Sequence, residues 1–110
     1  MSRILITGAA GFIGYHLAVY LLNDKKNKLV LVDNLQRGKM DEDFQNLLKS
    51  QRVVFIEADL TDPTFYQKLD VDFDQVYHLA AVNGTKLFYE MPHEVLRVNT
   101  LSLIYILEWI

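Results

Sequence analysis

The chain has 110 residues, 51% of them hydrophobic and 23% charged, with a formal net charge of −3. That is enough for one domain with a real core and not for two, and the acidic balance without a clustered basic patch argues against a nucleic-acid surface. With no cysteine, disulfides, thiolate metal sites and a cysteine nucleophile are excluded, and His16, His78 and His93 match no metal-ligand spacing.

Two periods alternate along the chain. "RILIT" (3–7) is a continuous apolar run, as in a strand buried on both faces. From Gly11 to Asn23, Ile13, Leu17 and Leu21 fall at helical spacing. "KLVLVD" (28–33) predicts a second buried strand. "DEDFQNLLKS" (41–50) opens with three acids, favourable at a helix N-terminus, and puts Phe44, Leu47 and Leu48 on one side. "RVVFIEAD" (52–59) predicts a third strand. Asp62-Pro63 reads as an N-cap followed by proline at the first helical position, with the helix running to about Leu69. "QVYHLAA" (75–81) predicts a fourth strand, and a long apolar helix begins near His93. The carboxylates of "DVDFD" (70–74) read as a solvated turn ahead of that strand. No repeat, linker or low-complexity segment interrupts the series. Apolar strands alternating with helices imply an α/β fold, a doubly wound parallel sheet with helices on both faces and strand order 3-2-1-4.

In such a sheet the first strand-to-helix turn faces a ligand crevice. Here that turn is "ITGAAGFIGYHL" (6–17). Gly8 lets the chain turn out of the strand, and Gly11 leaves room for a pyrophosphate at the unpaired N–H groups of the helix N-terminus. Gly14 lets the helix pack close to the strands; interior glycine otherwise costs a helix about 1 kcal/mol against alanine. Asp33 ends the second strand, where a carboxylate can accept from both ribose hydroxyls of an adenosine and repel a 2′-phosphate. This favours NAD over NADP, although Arg37, four residues on, could hold such a phosphate.

These stretches resemble a known family. "TGAAGFIG" (7–14) is similar to the TGxxGxxG fingerprint of short-chain dehydrogenases/reductases. "VDNLQRG" (32–38), "ADL" (58–60), "VYHLAA" (76–81) and "VNT" (98–100) resemble, in order and spacing, the extended branch, the NAD-dependent epimerase/dehydratase family acting on nucleotide sugars. "NGTKLFYEMP" (83–92) is similar to a loop and helix start found in nucleotide-sugar epimerases and decarboxylases alike.

The resemblance implies a Rossmann-type domain over 1–110 and a role for each matching position. Gly8, Gly11, Phe12 and Ile13 would cradle the pyrophosphate, the last two through backbone N–H. Asp33 and Asn34 would hold the adenosine ribose. Asp59 would accept from the adenine amino group with the Leu60 backbone beside it. Leu79, Ala80 and Ala81 would floor the nicotinamide ribose, and Asn99 would sit near the active centre in the long helix. His78 reads as a packed strand-end residue rather than an acid or base.

Enzymes of this family use a Ser/Thr and a Tyr-x-x-x-Lys pair, in which a phenolate of lowered pKa takes a proton from a sugar hydroxyl as hydride passes to the nicotinamide. None of the six tyrosines here has lysine four residues later. No catalytic residue is therefore assigned within the chain, and the pair is expected beyond residue 110. The ending "LSLIYILEWI" has no C-cap glycine, and the chain is read as the N-terminal part of a longer enzyme. The apolar runs fit neither a secretory signal nor a bilayer span, so a cytoplasmic protein is expected. A nucleotide-sugar substrate for the parent enzyme, no nucleic acid, no membrane and a homodimer through the last helix complete the expectation. The alternative is a non-catalytic NAD(P)-binding sensor or regulatory module; a purely structural α/β domain accounts less well for Gly8, Gly11, Gly14, Asp33 and Asp59 together.

Overall fold

The computed structural model describes residues 2–35, 40–70, 72–80 and 89–110. Four strands form one parallel sheet in the order β3-β2-β1-β4. They are β1 (Ser2–Thr7), β2 (Asn27–Asp33), β3 (Val53–Glu57) and β4 (Gln75–His78), joined by helices α1 (Phe12–Leu21), α2 (Glu42–Leu47) and α3 (Pro63–Lys68), with α4 (Pro92–Trp109) last. Ile4 pairs with Leu29 on one side and Gln75 on the other, and Leu29 with Val53.

The strand period of two sorts the core into two layers. Ile4, Ile6, Leu29, Leu31 and Val53 point to one face, where Ala18 of α1 and Phe44 and Leu47 of α2 cover them. Leu5, Val30 and Val32 point to the other, under Leu60 and Leu69 and against Phe65, Tyr66 and Trp109. Helices α3 and α4 thus lie opposite α1 and α2, the doubly wound arrangement expected from the apolar runs.

Local chemistry starts the helices where the sequence predicts. The Asp41 carboxylate accepts from Phe44 N–H at 2.8 Å, and that of Asp62 from Thr64 N–H at 3.0 Å, with Pro63 opening α3. Such caps are worth about 1 kcal/mol each.

Three readings change. β3 ends at Glu57 rather than residue 59, and β4 at His78 rather than Ala81. Glu57 is in register with Asp33, the last residue of β2, and His78 with Thr7, the last of β1. One more backbone bond follows on each side, Ala58 N–H to the Asp33 carbonyl and Leu79 N–H to the Thr7 carbonyl, and there the ladder ends. On α1 the packed face is Gly14 and Ala18 with Leu17 and Leu21 beside them, while Ile13 is 69% exposed. The helix lies too close to the sheet for a large side chain at position 14 or 18, so the apolar spacing alone misplaces the face by one residue.

At the N-terminal edge of the sheet the acids of "DVDFD" are exposed but occupied. Asp70 and Asp72 pair with the Arg3 guanidinium, Asp74 accepts from Arg3 N–H at 2.8 Å, and the guanidinium lies 4.7 Å over the Phe73 ring. Arg52 donates to the carbonyls of Leu22, Asp24 and Asn27, closing the end of α1 and the turn after it.

Candidate functional site

Gly8, Gly11, Asp33, Asp59, Leu79 and Ala80 follow or end the strands at the C-terminal edge of the sheet. Gly8 leaves β1 at φ +69°, a conformation that L side chains rarely adopt. A Cβ on it would stand 2.7 Å from Ala80 N, so the glycine turn and the end of β4 touch backbone to backbone. A Cβ on Gly14 would lie 2.5 Å from the Gly8 carbonyl oxygen and 2.8 Å from Ala9 Cα. Gly8 and Gly14 are therefore demanded by the packing of the protein itself.

Gly11 differs. Among the described residues its Cβ would meet one atom, the Gly8 oxygen at 3.3 Å. It stands at the N-cap of α1 and has no side chain with which to cap, unlike Asp41 and Asp62 at the starts of α2 and α3. The N–H groups of Phe12 and Ile13 begin the helix and have no acceptor one turn back. Together with the helix dipole they form an anion cradle in open space, which fits the pyrophosphate of a dinucleotide. The Phe12 and Ile13 side chains are exposed, so their contribution is backbone N–H.

Asp33 is 8% exposed, and its carboxylate spans the turn. Oδ2 accepts from Ala10 N–H at 3.0 Å and Oδ1 from Leu35 N–H at 2.7 Å. The sequence reading missed this tether: the residue expected to hold a ribose also holds the glycine turn. Each carboxylate oxygen keeps a second lone pair, so ribose hydroxyls can still donate. Asn34 beside it is exposed. Arg37 lies outside the described residues.

Asp59 follows β3 in an exposed turn. Its Oδ1 accepts from Thr61 N–H at 2.9 Å and from the Thr61 hydroxyl at 2.7 Å, which leaves Oδ2 without a hydrogen bond among the described residues. Leu60 is buried in the α3-side core. Leu79 is exposed and Ala80 partly buried beside the glycine turn; Ala81 and residues 83–88 lie outside the described residues. Asn99 is half-buried on α4, its carbonyl 3.3 Å from the Ser102 hydroxyl.

Two further polar residues hold the floor in place. Thr7 is fully buried; its Oγ1 accepts from Ala80 N–H at 3.2 Å and lies 2.7 Å from His78 Nδ1. Burial pushes the His78 pKa below its ordinary value, and a neutral ring can accept the Thr7 hydroxyl proton at Nδ1. His78 is thus a packed strand-end residue, as expected, that ties β4 to β1. Thr7 opens the TGAAGFIG stretch, but its contact 73 residues away has no local signal. Among the described residues no group of acidic and histidine side chains could hold a metal ion, and no helix is long and apolar enough to cross a membrane.

The family model for GDP-mannose 4,6 dehydratase matches residues 5–110. The chain belongs to this family. It is 36% identical over 101 residues to UDP-glucuronic acid decarboxylase 6 of Arabidopsis thaliana, covering 91% of this chain and 27% of the relative. To the probable UDP-arabinose 4-epimerase 1 of Oryza sativa subsp. japonica it is 42% identical over 87 residues, covering 74% of this chain and 20% of the relative. Its fold superposes with a TM-score of 0.86 on a UDP-glucose-4-epimerase from Stenotrophomonas maltophila solved with bound NAD, at 26% identity, over 99% of this chain and 33% of that one. The UDP-glucose 4-epimerase of Thermus thermophilus, in complex with NAD, gives 0.78 at 32% identity over 97% and 33%. These are NAD-dependent epimerase/dehydratases of the extended short-chain type, and this family member spans the N-terminal third or less of their length.

Proposed function

We propose that the chain is the NAD-binding domain, incomplete over 1–110, of a cytoplasmic nucleotide-sugar epimerase/dehydratase. The observation that carries this reading is the linked pair of Gly11 and Asp33. An open, uncapped helix N-terminus is bound through Ala10 to a buried carboxylate one strand away. This tether supports reading the helix N-terminus as an anion cradle and Asp33 as a ribose acceptor beside it. In the reading, Phe12 and Ile13 N–H hold the pyrophosphate, Asp33 and Asn34 the adenosine ribose, and Asp59 with Leu60 the adenine. Leu79, Ala80 and Ala81 support the nicotinamide half, and Asn99 lies near the active centre. The chemistry the cofactor supplies is hydride acceptance from the sugar. The residues of this chain bind and orient; the proton-transfer pair belongs to a longer parent chain.

Calorimetric titration with NAD and NADP tests the reading. Saturable NAD binding, tighter than NADP, is expected; binding of neither overturns it. Because no Tyr-x-x-x-Lys occurs in these 110 residues, a non-catalytic sensor remains the second reading. A reading frame that continues past the Ile110 codon into a Ser/Thr and a Tyr-x-x-x-Lys decides for the enzyme. The reading also includes a homodimer. Leu96, Leu103, Leu107 and Ile110 are exposed at helical spacing along α4 and form one apolar stripe. Sedimentation should give a dimer that Leu103→Lys dissociates.

A further inference from the structure

We infer that Tyr66 is a positioning residue for the adenine end of the site, holding the Asp59–Leu60 turn through its hydroxyl and joining it to α4. The inference rests on the NAD reading above and adds to it a side chain that no motif marks.

The Tyr66 O–H donates to the Leu60 carbonyl at 2.8 Å. This closes a loop over the start of α3, whose other side is closed by Asp62 N–H on the Asp59 carbonyl at 3.1 Å. Thr61 occupies Asp59 Oδ1. The turn is therefore held at Asp59, Leu60, Thr61 and Asp62, and among the described residues Asp59 Oδ2, the acceptor proposed for the adenine amino group, takes no hydrogen bond. The Tyr66 ring sits edge-on between Phe65, at 5.1 Å, and Tyr105 of α4, at 6.0 Å. Burial first, and then the charge of Asp59, push the Tyr66 pKa up to about 12. The hydroxyl accordingly stays a donor throughout the range in which proteins fold. Without it the buried Leu60 carbonyl lacks its partner, and the turn can rotate Oδ2 away from the base.

The test is calorimetric titration of wild type and Tyr66→Phe with NAD and with nicotinamide hypoxanthine dinucleotide, which has oxygen where adenine has its amino group. Wild type should prefer NAD by about tenfold, as for one hydrogen bond to a charged acceptor. Tyr66→Phe keeps the ring contacts and should reduce that preference to about threefold or less. A variant that weakens both dinucleotides equally, or neither, overturns the inference, because general loosening does not touch selectivity for the amino group. Wild type that binds both alike removes the role of Asp59 and the inference with it. Wild type that binds neither overturns the NAD reading itself, so the two failures are told apart by the wild-type titration. Amide exchange on the wild-type chain gives a second measurement independent of the variant's folding. The Thr61 and Asp62 amides should be protected, and rapid exchange at both overturns the inference.

Discussion

The two edges of the sheet carry polar groups of similar kind put to opposite use. At the N-terminal edge the charged side chains are spent on partners within the protein: Arg3 lies among Asp70, Asp72 and Asp74, and Arg52 fills three carbonyls. At the C-terminal edge the acids face backbone. Asp33 takes Ala10 and Leu35 N–H, Asp59 takes Thr61, and the start of α1 has no side-chain cap. Charge density therefore does not mark the site. What marks it is polar capacity left over after the protein has satisfied itself.

The comparison can be broken most decisively at the glycine turn. Gly8→Ala forces a Cβ into the Ala80 peptide at positive φ and should cost about 3 kcal/mol, summing left-handed strain and overpacking, with NAD binding lost. Urea unfolding measures the first and calorimetry the second. Gly11→Ala is the counterpart: its Cβ meets little of the protein, so stability should stay within about 0.5 kcal/mol while NAD affinity falls at least tenfold. Equal behaviour of the two variants would falsify the division between packing glycines and the ligand-facing one.

Asp33→Asn keeps the shape but turns an amide donor toward a backbone N–H. A loss of about 2 kcal/mol is expected, the value of a charged hydrogen bond, together with weaker NAD binding and relaxed discrimination against NADP. Stability lost without any change in selectivity would leave Asp33 a tether alone.

Arg3→Ala, at the opposite edge, should cost about 1 kcal/mol, since its ion pairs are largely exposed and the ring contact adds little more. The loss should shrink in high salt, and NAD affinity should not move. A drop in affinity would mean that the two edges are coupled through β1.

The smallest effect is a pH dependence at His78. Its folded pKa lies below the ordinary 6.5 because burial disfavours the cation. The unfolded chain therefore takes up the proton first as pH falls. The contribution is complete above about pH 6.5, declines below it, and is lost once the folded ring protonates. His78→Asn, which can keep an acceptor for the Thr7 hydroxyl, should flatten the melting temperature between pH 7.5 and 5 relative to wild type. Parallel curves would remove the buried neutral ring from the account.

Strand order and the places of Gly8, Gly14, Asp33 and Asp59 at turns and strand ends were legible in the sequence because they follow local rules. Buried parallel strands are apolar throughout, caps are short-range, and a glycine turn between strand and helix has few other uses. The residues of "DVDFD" and Thr7 were legible as types but not as partners, since their contacts span about 70 positions of the chain. The resemblance to a family implied an adenine-binding role for Asp59, but nothing in the motif named Tyr66. That residue reads as one more aromatic of an amphipathic helix until its hydroxyl meets the Leu60 carbonyl.

The sequence by itself determined the architecture and the class of ligand, because periodicity, caps and glycine spacing act within a few residues of one another. Only the tertiary structure decided which glycines are packed against backbone, Gly8 and Gly14, and which is not so packed among the described residues, Gly11. It also showed that Asp33 tethers the glycine turn, and which carboxylates are already spent on Arg3. Those outcomes depend on atoms brought together from distant positions in the chain, where a Cβ meets either backbone or open space.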